Sequence, residues 1–159
     1  MVYCDESHNM RNSGMSWSKK LSDIIVENKN LTEKQLRAGM FDAANAIILG
    51  SPVGNKSLWK NPNSGPDPYV GGAYRAGHRI SMNKITRDDK GIESQGSIMM
   101  RLKGDIAQFK IGETLFMTNP LPYAVPIEFG HSSQAPDGVY RPAVKRLIKF
   151  LNKDLGVNK

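Results

Sequence analysis

The 159-residue chain has a single cysteine, Cys4. An internal disulfide is thereby excluded, and so is a CxxC metal knuckle. Long hydrophobic runs are missing as well. A membrane span needs about 20 consecutive apolar residues, whereas the longest apolar neighbourhood, Ala43 to Leu49, is interrupted by Asn45. Met1 to Met15 is polar and carries Asp5, Glu6 and His8 where a secretory leader would have its apolar centre. No leader and no membrane partner are expected. Aromatic residues are only 8% of the chain, and no basic–aromatic sheet motif or recognition-helix signature accompanies them, which argues against sequence-specific nucleic-acid binding.

The usual marks of catalysis are absent too. Gly54-Asn55-Lys56-Ser57 has the outline of a phosphate loop, but asparagine stands where a glycine must let the backbone wrap phosphate. There is no G-x-G-x-x-G and no G-x-S-x-G. Glu128 and His131 have the spacing of a carboxylate-bridged metal site, yet such sites need two such pairs on facing helices, and Gly130 lies between these residues. Cys4 with His8 near the chain start is a poor nucleophile pair. No catalytic residue, metal or cofactor is expected, and the chain reads as a non-enzyme.

What is present is an ordinary globular composition, 39% apolar and 23% charged, enough for one core and one domain. The balance of charge is uneven. Twenty-two Lys and Arg against 15 Asp and Glu give +7. Met1 to Val70 contributes +1 (eight basic, seven acidic) and Gly71 to Lys159 contributes +6 (14 basic, eight acidic). A basic half suits an acidic partner, a nucleic acid or a solvated face.

Periodicity predicts two N-terminal helices, at 17–28 and 33–49. Trp17, Leu21, Ile24 and Ile25 form the first apolar set, Asn28 to Asn30 ends it, and Thr32 with Gln35 has capping-box spacing for the second. Pro52 stops that second helix. Fourteen of the 22 residues in Ser51 to Gly72 are Gly, Pro, Asn or Ser, so 51–72 reads as a long surface loop, with Trp59 and Tyr69 available to dock. Tyr74 to Met82 alternates as a strand would. Its inward set is Tyr74, Ala76, His78, Ile80 and Met82, and Arg75 and Arg79 are on the open face. His78 is expected against the sheet with its ring nitrogens satisfied locally. Ile98, Leu102 and Ile106 are spaced for a helix, and Thr114 to Thr118 is β-prone. Tyr123 to Phe129 predicts one or two helical turns ended by Gly130. Pro142 suits a first helical position, followed by the apolar stripe Val144, Leu147, Ile148, Leu151 and Leu155. Arg75, Arg79, Arg141, Lys145, Arg146 and Lys149 are the candidate basic surface.

Three stretches together resemble a known family. They are Trp17-Ser18-Lys19-Lys20-Leu21 with the helix ending in Ser51-Pro52-Val53-Gly54; Ser57-Leu58-Trp59-Lys60 with Tyr69-Val70-Gly71-Gly72 and Tyr74-Arg75; and Thr118-Asn119-Pro120-Leu121-Pro122-Tyr123-Ala124 through Glu128-Phe129-Gly130-His131-Ser132 and Gln134-Ala135-Pro136-Asp137-Gly138 to Arg141-Pro142-Ala143. From about Trp17 to Leu151 the chain resembles the tail-completion or neck proteins of tailed bacteriophages, a group akin to tail terminators. The resemblance implies a structural virion protein with no enzymatic activity and no cofactor. It implies an α+β fold, with N-terminal helices and a C-terminal helix packed on a small, mainly antiparallel sheet. It also implies a homo-oligomeric ring, a hexamer, that caps the tail tube and joins it to the head connector. Such a protein belongs to the virion neck and is assembled in the host cytoplasm.

Relatives begin near Met15, so residues 1–14 are expected to form a flexible extension and 15–159 a single domain. They also carry Asp-Thr-Gly after Ser-Pro-Val, where this chain has Gly54-Asn55-Lys56 and a longer loop. Trp59, Tyr69, Tyr123, Glu128, Phe129, Gln134 and Pro136 are the expected subunit contacts. The basic half would meet an acidic ring of the tube or connector, or else touch DNA non-specifically in the lumen. The rival readings are a head-proximal adaptor or stopper and, from another class, a small basic nucleic-acid-binding protein.

Overall fold

The computed structural model describes residues 13–58, 61, 63, 71–87, 91 and 93–154. Its first element, α1 (Ser13–Gly50), is one uninterrupted helix of 38 residues, roughly 57 Å long at 1.5 Å per residue. The expected break between 28 and 33 does not occur. Asn28, Lys29 and Asn30 are solvent-exposed, where an asparagine costs a helix only about 0.5 kcal/mol, and neither proline nor glycine interrupts the ladder. Thr32 caps nothing, because its hydroxyl donates back to the Asn28 carbonyl at 2.8 Å. Ser13 and Gly14, expected in the flexible extension, are part of α1.

After α1 the chain makes a 3₁₀ turn (Lys56–Leu58), α2 (Ala73–Ala76), β1 (Arg79–Met82), α3 (Gln95–Ala107), β2 (Leu115–Thr118), α4 (Ala124–Glu128) and α5 (Tyr140–Asp154). The strands pair antiparallel, Arg79 with Thr118 through Met82 with Leu115. Helices on a two-stranded sheet make this an α+β fold. The long loop closes at its base: a Cβ on Gly71 would lie 2.4 Å from the Gly54 carbonyl oxygen, so only glycine lets the returning chain pass there. Trp59 and Tyr69 lie outside the described residues.

The predicted strand over Tyr74 to Met82 is half right. Gly72, at φ 102°, turns the chain into α2, where Ala76 and Gly77 donate to Gly72 and Ala73 at 2.9 and 2.8 Å. Extended backbone starts only at Arg79, so the alternation fails before it. Arg79 is consequently not on an open face. It is 4% exposed, its guanidinium donating to the Ala76 and His78 carbonyls.

The core has two adjoining parts. Ala44 and Ile48 of α1 meet Ala76, Ile80 and the α3 row Ile98, Leu102 and Ile106. Ile47, Tyr74, Ala135, Val139 and Ala143 form the second. α3 is started by Ser94, whose hydroxyl accepts from the Ser97 amide. Close approach of α1 and α5 depends on Gly39, where a Cβ would come within 2.7 Å of the Phe150 ring. Beside it, Arg146 grips Asp42 through two bonds of 2.5 and 2.8 Å. α5 starts two residues before Pro142, and its predicted apolar stripe divides. Leu147 is half-buried, whereas Val144 and Ile148 are about half exposed. Leu155 lies outside the described residues.

Candidate functional site

The end of α1, the α2–β1 junction and the start of α5 converge on a buried polar chain. Ser51 Oγ lies 2.8 Å from His78 Nε2, and His78 Nδ1 lies 2.8 Å from the Tyr140 hydroxyl. Ser51 donates its own proton to the Ile47 carbonyl at 2.6 Å. Counting donors then assigns the tautomer. Nε2 carries the hydrogen and gives it to Ser51, and Nδ1 accepts from Tyr140. Burial, with the charges of Arg79 and Arg101, pushes the His78 pKa down to about 3, so the ring is neutral. Burial raises the Tyr140 phenol far above its ordinary value. The arrangement differs from a nucleophilic triad in each functional respect. Its histidine presents a hydrogen to the serine instead of accepting one, and no carboxylate orients the other nitrogen. Its chemistry is that of a satisfied buried network tying three elements together. The sequence predicts His78 on a strand's sheet face with its nitrogens satisfied locally; it is buried with both nitrogens satisfied, but it precedes β1 and its partners lie 27 and 62 residues away in the chain.

Three arginines brace the same junction. Arg101 donates to the His78 carbonyl and pairs with Glu93 at 3.2 Å. Arg75 is half-buried and donates to the Ser51 carbonyl and to Gln95. Arg75 and Arg79 thus leave the predicted basic surface. The rest of it lies on α5, where Arg141, Lys145 and Lys149 are exposed and Lys153, which sequence reasoning missed, extends the row. Spacing of four residues along the helix was the available signal. Arg146 is exposed but held by Asp42.

The segment from Asn119 to Gly138 is a frame whose Asn119, Glu128 and Gln134 side chains bond back into the chain. Asn119 donates to the Tyr74 carbonyl at 2.8 Å and accepts from the Leu121 amide. Gln134 makes a two-way amide pair with the Val53 backbone, at 3.1 and 3.0 Å. The Glu128 carboxylate accepts from the amides of Val139, Tyr140 and Arg141 at 2.8, 2.8 and 2.9 Å. A helix leaves its first four amides unpaired. Here one carboxylate takes two of them, from Tyr140 and Arg141, together with the preceding Val139 amide, and Pro142 has none to offer. Partial burial works to raise the Glu128 pKa, but those three amides and the charge of Arg141 outweigh it and hold the carboxyl below its ordinary value. Gly130 and Gly138, both at positive φ, pass so close to the Pro136 and Glu128 carbonyls that a side chain would collide.

Outward, this frame presents α4. Val125 and Phe129, one helical turn apart, are 65% and 69% exposed, and Tyr123, before the helix, is 42% exposed. Of the expected contact residues, Phe129 is exposed on this surface, whereas Tyr123 lays its ring against Tyr74 of the core, with centroids 6.3 Å apart. Glu128 and Gln134 direct their polar groups into the chain, and Pro136 is exposed with its carbonyl against Gly130. A second apolar face was not anticipated. From residue 18 to residue 31 every side chain of α1 is exposed, Leu21, Ile24, Ile25, Val26 and Leu31 among them. The sequence shows their periodicity but not that the body of the domain stops short of them.

Comparison of the chain with family models, curated proteins and solved structures returns no match. Among the described residues, no helix is long and apolar enough to cross a membrane.

Proposed function

We propose that the chain is a structural subunit of the tailed-phage neck, a tail-completion or terminator-like protein whose copies form a ring between tail tube and head connector. The observation that carries this reading is the α4 surface: Val125 and Phe129 are exposed one turn apart, on a frame whose Asn119, Glu128 and Gln134 side chains are bonded within the subunit. A rigid apolar protrusion loses little freedom when it docks, which suits a contact repeated around a ring. Such head-to-tail contacts require a second, different patch on each copy. The third of the resembling stretches, Thr118 to Ala143, coincides with this frame, and its asparagine, glutamate, glutamine and glycines are the residues that build it.

The exposed row Arg141, Lys145, Lys149 and Lys153 then faces an acidic ring of the tube or connector, where complementary charge sets register and encounter rate. The same row favours a second reading, non-specific contact with duplex DNA, which salt would weaken steeply.

Val125→Asp with Phe129→Asp tests the first reading. Both positions are exposed, so the subunit folds with an unchanged melt while ring-shaped oligomers disappear from negative-stain images and head–tail joining fails in complementation. Rings formed at the unmodified yield would overturn it. Lys145→Glu with Lys149→Glu separates the two roles of the cationic row, with Arg146 left intact because it holds Asp42. Lost joining supports a protein-facing row, and lost DNA retention at low salt with joining unaffected supports the alternative.

A further inference from the structure

The outer half of α1 continues a face that the body of the domain already uses. Asn28, Gln35 and Asp42 recur at steps of seven, and Asp42 is where Arg146 of α5 binds. α5 runs antiparallel to α1, since Arg146 meets Asp42 while Phe150, further along, meets Gly39. Its described end, Asp154, therefore lies opposite about residue 35 of α1, given equal rise in both helices. Beyond that point the same face carries Leu21, Ile24, Asn28 and Leu31, at steps of three, four and three. That is a coiled-coil seam, and within the subunit its residues are exposed.

We infer that this seam is covered by the same segment of a second copy, the two α1 helices lying antiparallel about a two-fold axis near residues 22 and 23. Three observations select this occupant. First, a parallel partner would run straight on into the place that α5 fills beside Gly39 and Asp42, so only an antiparallel helix fits the vacant length. Second, in the antiparallel register that sets Leu21 beside Ile24 of the second copy, flanking positions bring Lys20 to its Glu27 and Glu27 to its Lys20, two ion pairs by symmetry. Third, the register one heptad further sets Glu27 against Glu27 and Lys20 against Lys34, and also drives the start of the second helix into α5. Charge and α5 reject the same alternative, as interfaces that specify one partner geometry do. In the surviving register the second copy's Ser13 reaches residue 32, just short of α5. The contact is isologous, so it closes at two copies and leaves the α4 surface free. It holds for a subunit outside any ring and does not rest on the neck reading.

The test uses the full chain and its V125D/F129D variant, in which ring contacts are removed. Light scattering of that variant at about 50 μM gives twice the subunit mass. Adding Ile24→Asp returns the single-subunit mass with unchanged circular dichroism, because residue 24 is exposed in the subunit. Lys20→Glu and Glu27→Lys each raise the dimer dissociation constant roughly tenfold, since each places two like-charge contacts on the seam, and the double exchange K20E/E27K restores it to within about threefold. For orientation, spin labels at Lys29→Cys in a Cys4→Ser background lie 13 residues apart along antiparallel helices, roughly 20 Å, against about 10 Å for parallel ones. Single-subunit mass at 50 μM, dimers indifferent to Ile24→Asp, no rescue by the double exchange, or a 10 Å separation would each overturn the inference. Rings without the α1 pair would sink this inference alone, and α1 pairs without rings would sink only the neck reading.

Discussion

The two halves of α1 are one helix with two fates. Between Glu33 and Ile48 it contributes Glu33, Ala43, Ala44, Ile47 and Ile48 to the buried interior, whereas from residue 18 to residue 31 it contributes nothing. Large apolar residues number five in each stretch (Leu21, Ile24, Ile25, Val26 and Leu31; Leu36, Met40, Phe41, Ile47 and Ile48), so their presence alone does not distinguish the halves. What distinguishes them is the reach of the elements packed alongside. α3 and the chain leaving it end at Glu33, whose carboxylate accepts from the Ile111 amide at 3.1 Å and from Arg37 at 3.0 Å. An amphipathic helix therefore reports that a partner exists, and the tertiary structure reports whether that partner belongs to the same chain.

The contrast predicts a graded set of effects. Ile48→Ala, at a position with 0% exposure, should cost about 3 kcal/mol of unfolding free energy, the ordinary size for a core truncation. Chemical denaturation measures it, and a loss below about 1 kcal/mol would erase the distinction between the halves. At their boundary, Glu33→Ala strands the Ile111 amide and one end of Arg37, which should cost about 2 kcal/mol. Away from α1, Glu128→Ala strands three amides at the start of α5, those of Val139, Tyr140 and Arg141, and should cost about 1–2 kcal/mol, with lost helicity confined to the C-terminal helix by hydrogen exchange.

Acid sharpens the picture further. His78 binds a proton readily only when unfolded, because its folded pKa of about 3 lies below the ordinary value near 6.5. Its contribution is complete above pH 6.5 and declines as pH falls towards 3. Glu128, also held below its ordinary value, adds to the loss at the acidic end of that range. Melts should therefore be flat above pH 7 and drop steadily below 6.5, and His78→Gln should flatten the slope between pH 4 and 6.5. The smallest expected effect is Ile24→Ala, within about 0.5 kcal/mol for the isolated subunit, although the same position decides pairing between copies.

Much of the body was legible beforehand. Ile98, Leu102 and Ile106 announce α3 because all three face one core. Thr114 to Thr118 announces β2, and Gly130 correctly ends α4. Local rules failed where long-range partners override them. Asn28 to Asn30 looks like a stop, yet solvent tolerates asparagine in a helix. Arg79 looks like surface, yet carbonyls of Ala76 and His78 receive it. Glu128 has no sequence signature as a cap because the helix it caps begins 12 residues later.

The amino-acid order by itself determined most of the helical and extended stretches with an apolar period, the positive C-terminal half and the proline-bearing connections, since each follows from propensity and spacing along the chain, while the α+β class is an expectation from the resemblance that the structure bears out. Only the tertiary structure decided which apolar stripes are core and which are left in water, that His78 is neutral between Ser51 and Tyr140, and that two of the candidate surface arginines are internal braces. Those properties depend on which atoms meet across dozens of residues, and a one-dimensional pattern carries no record of that distance.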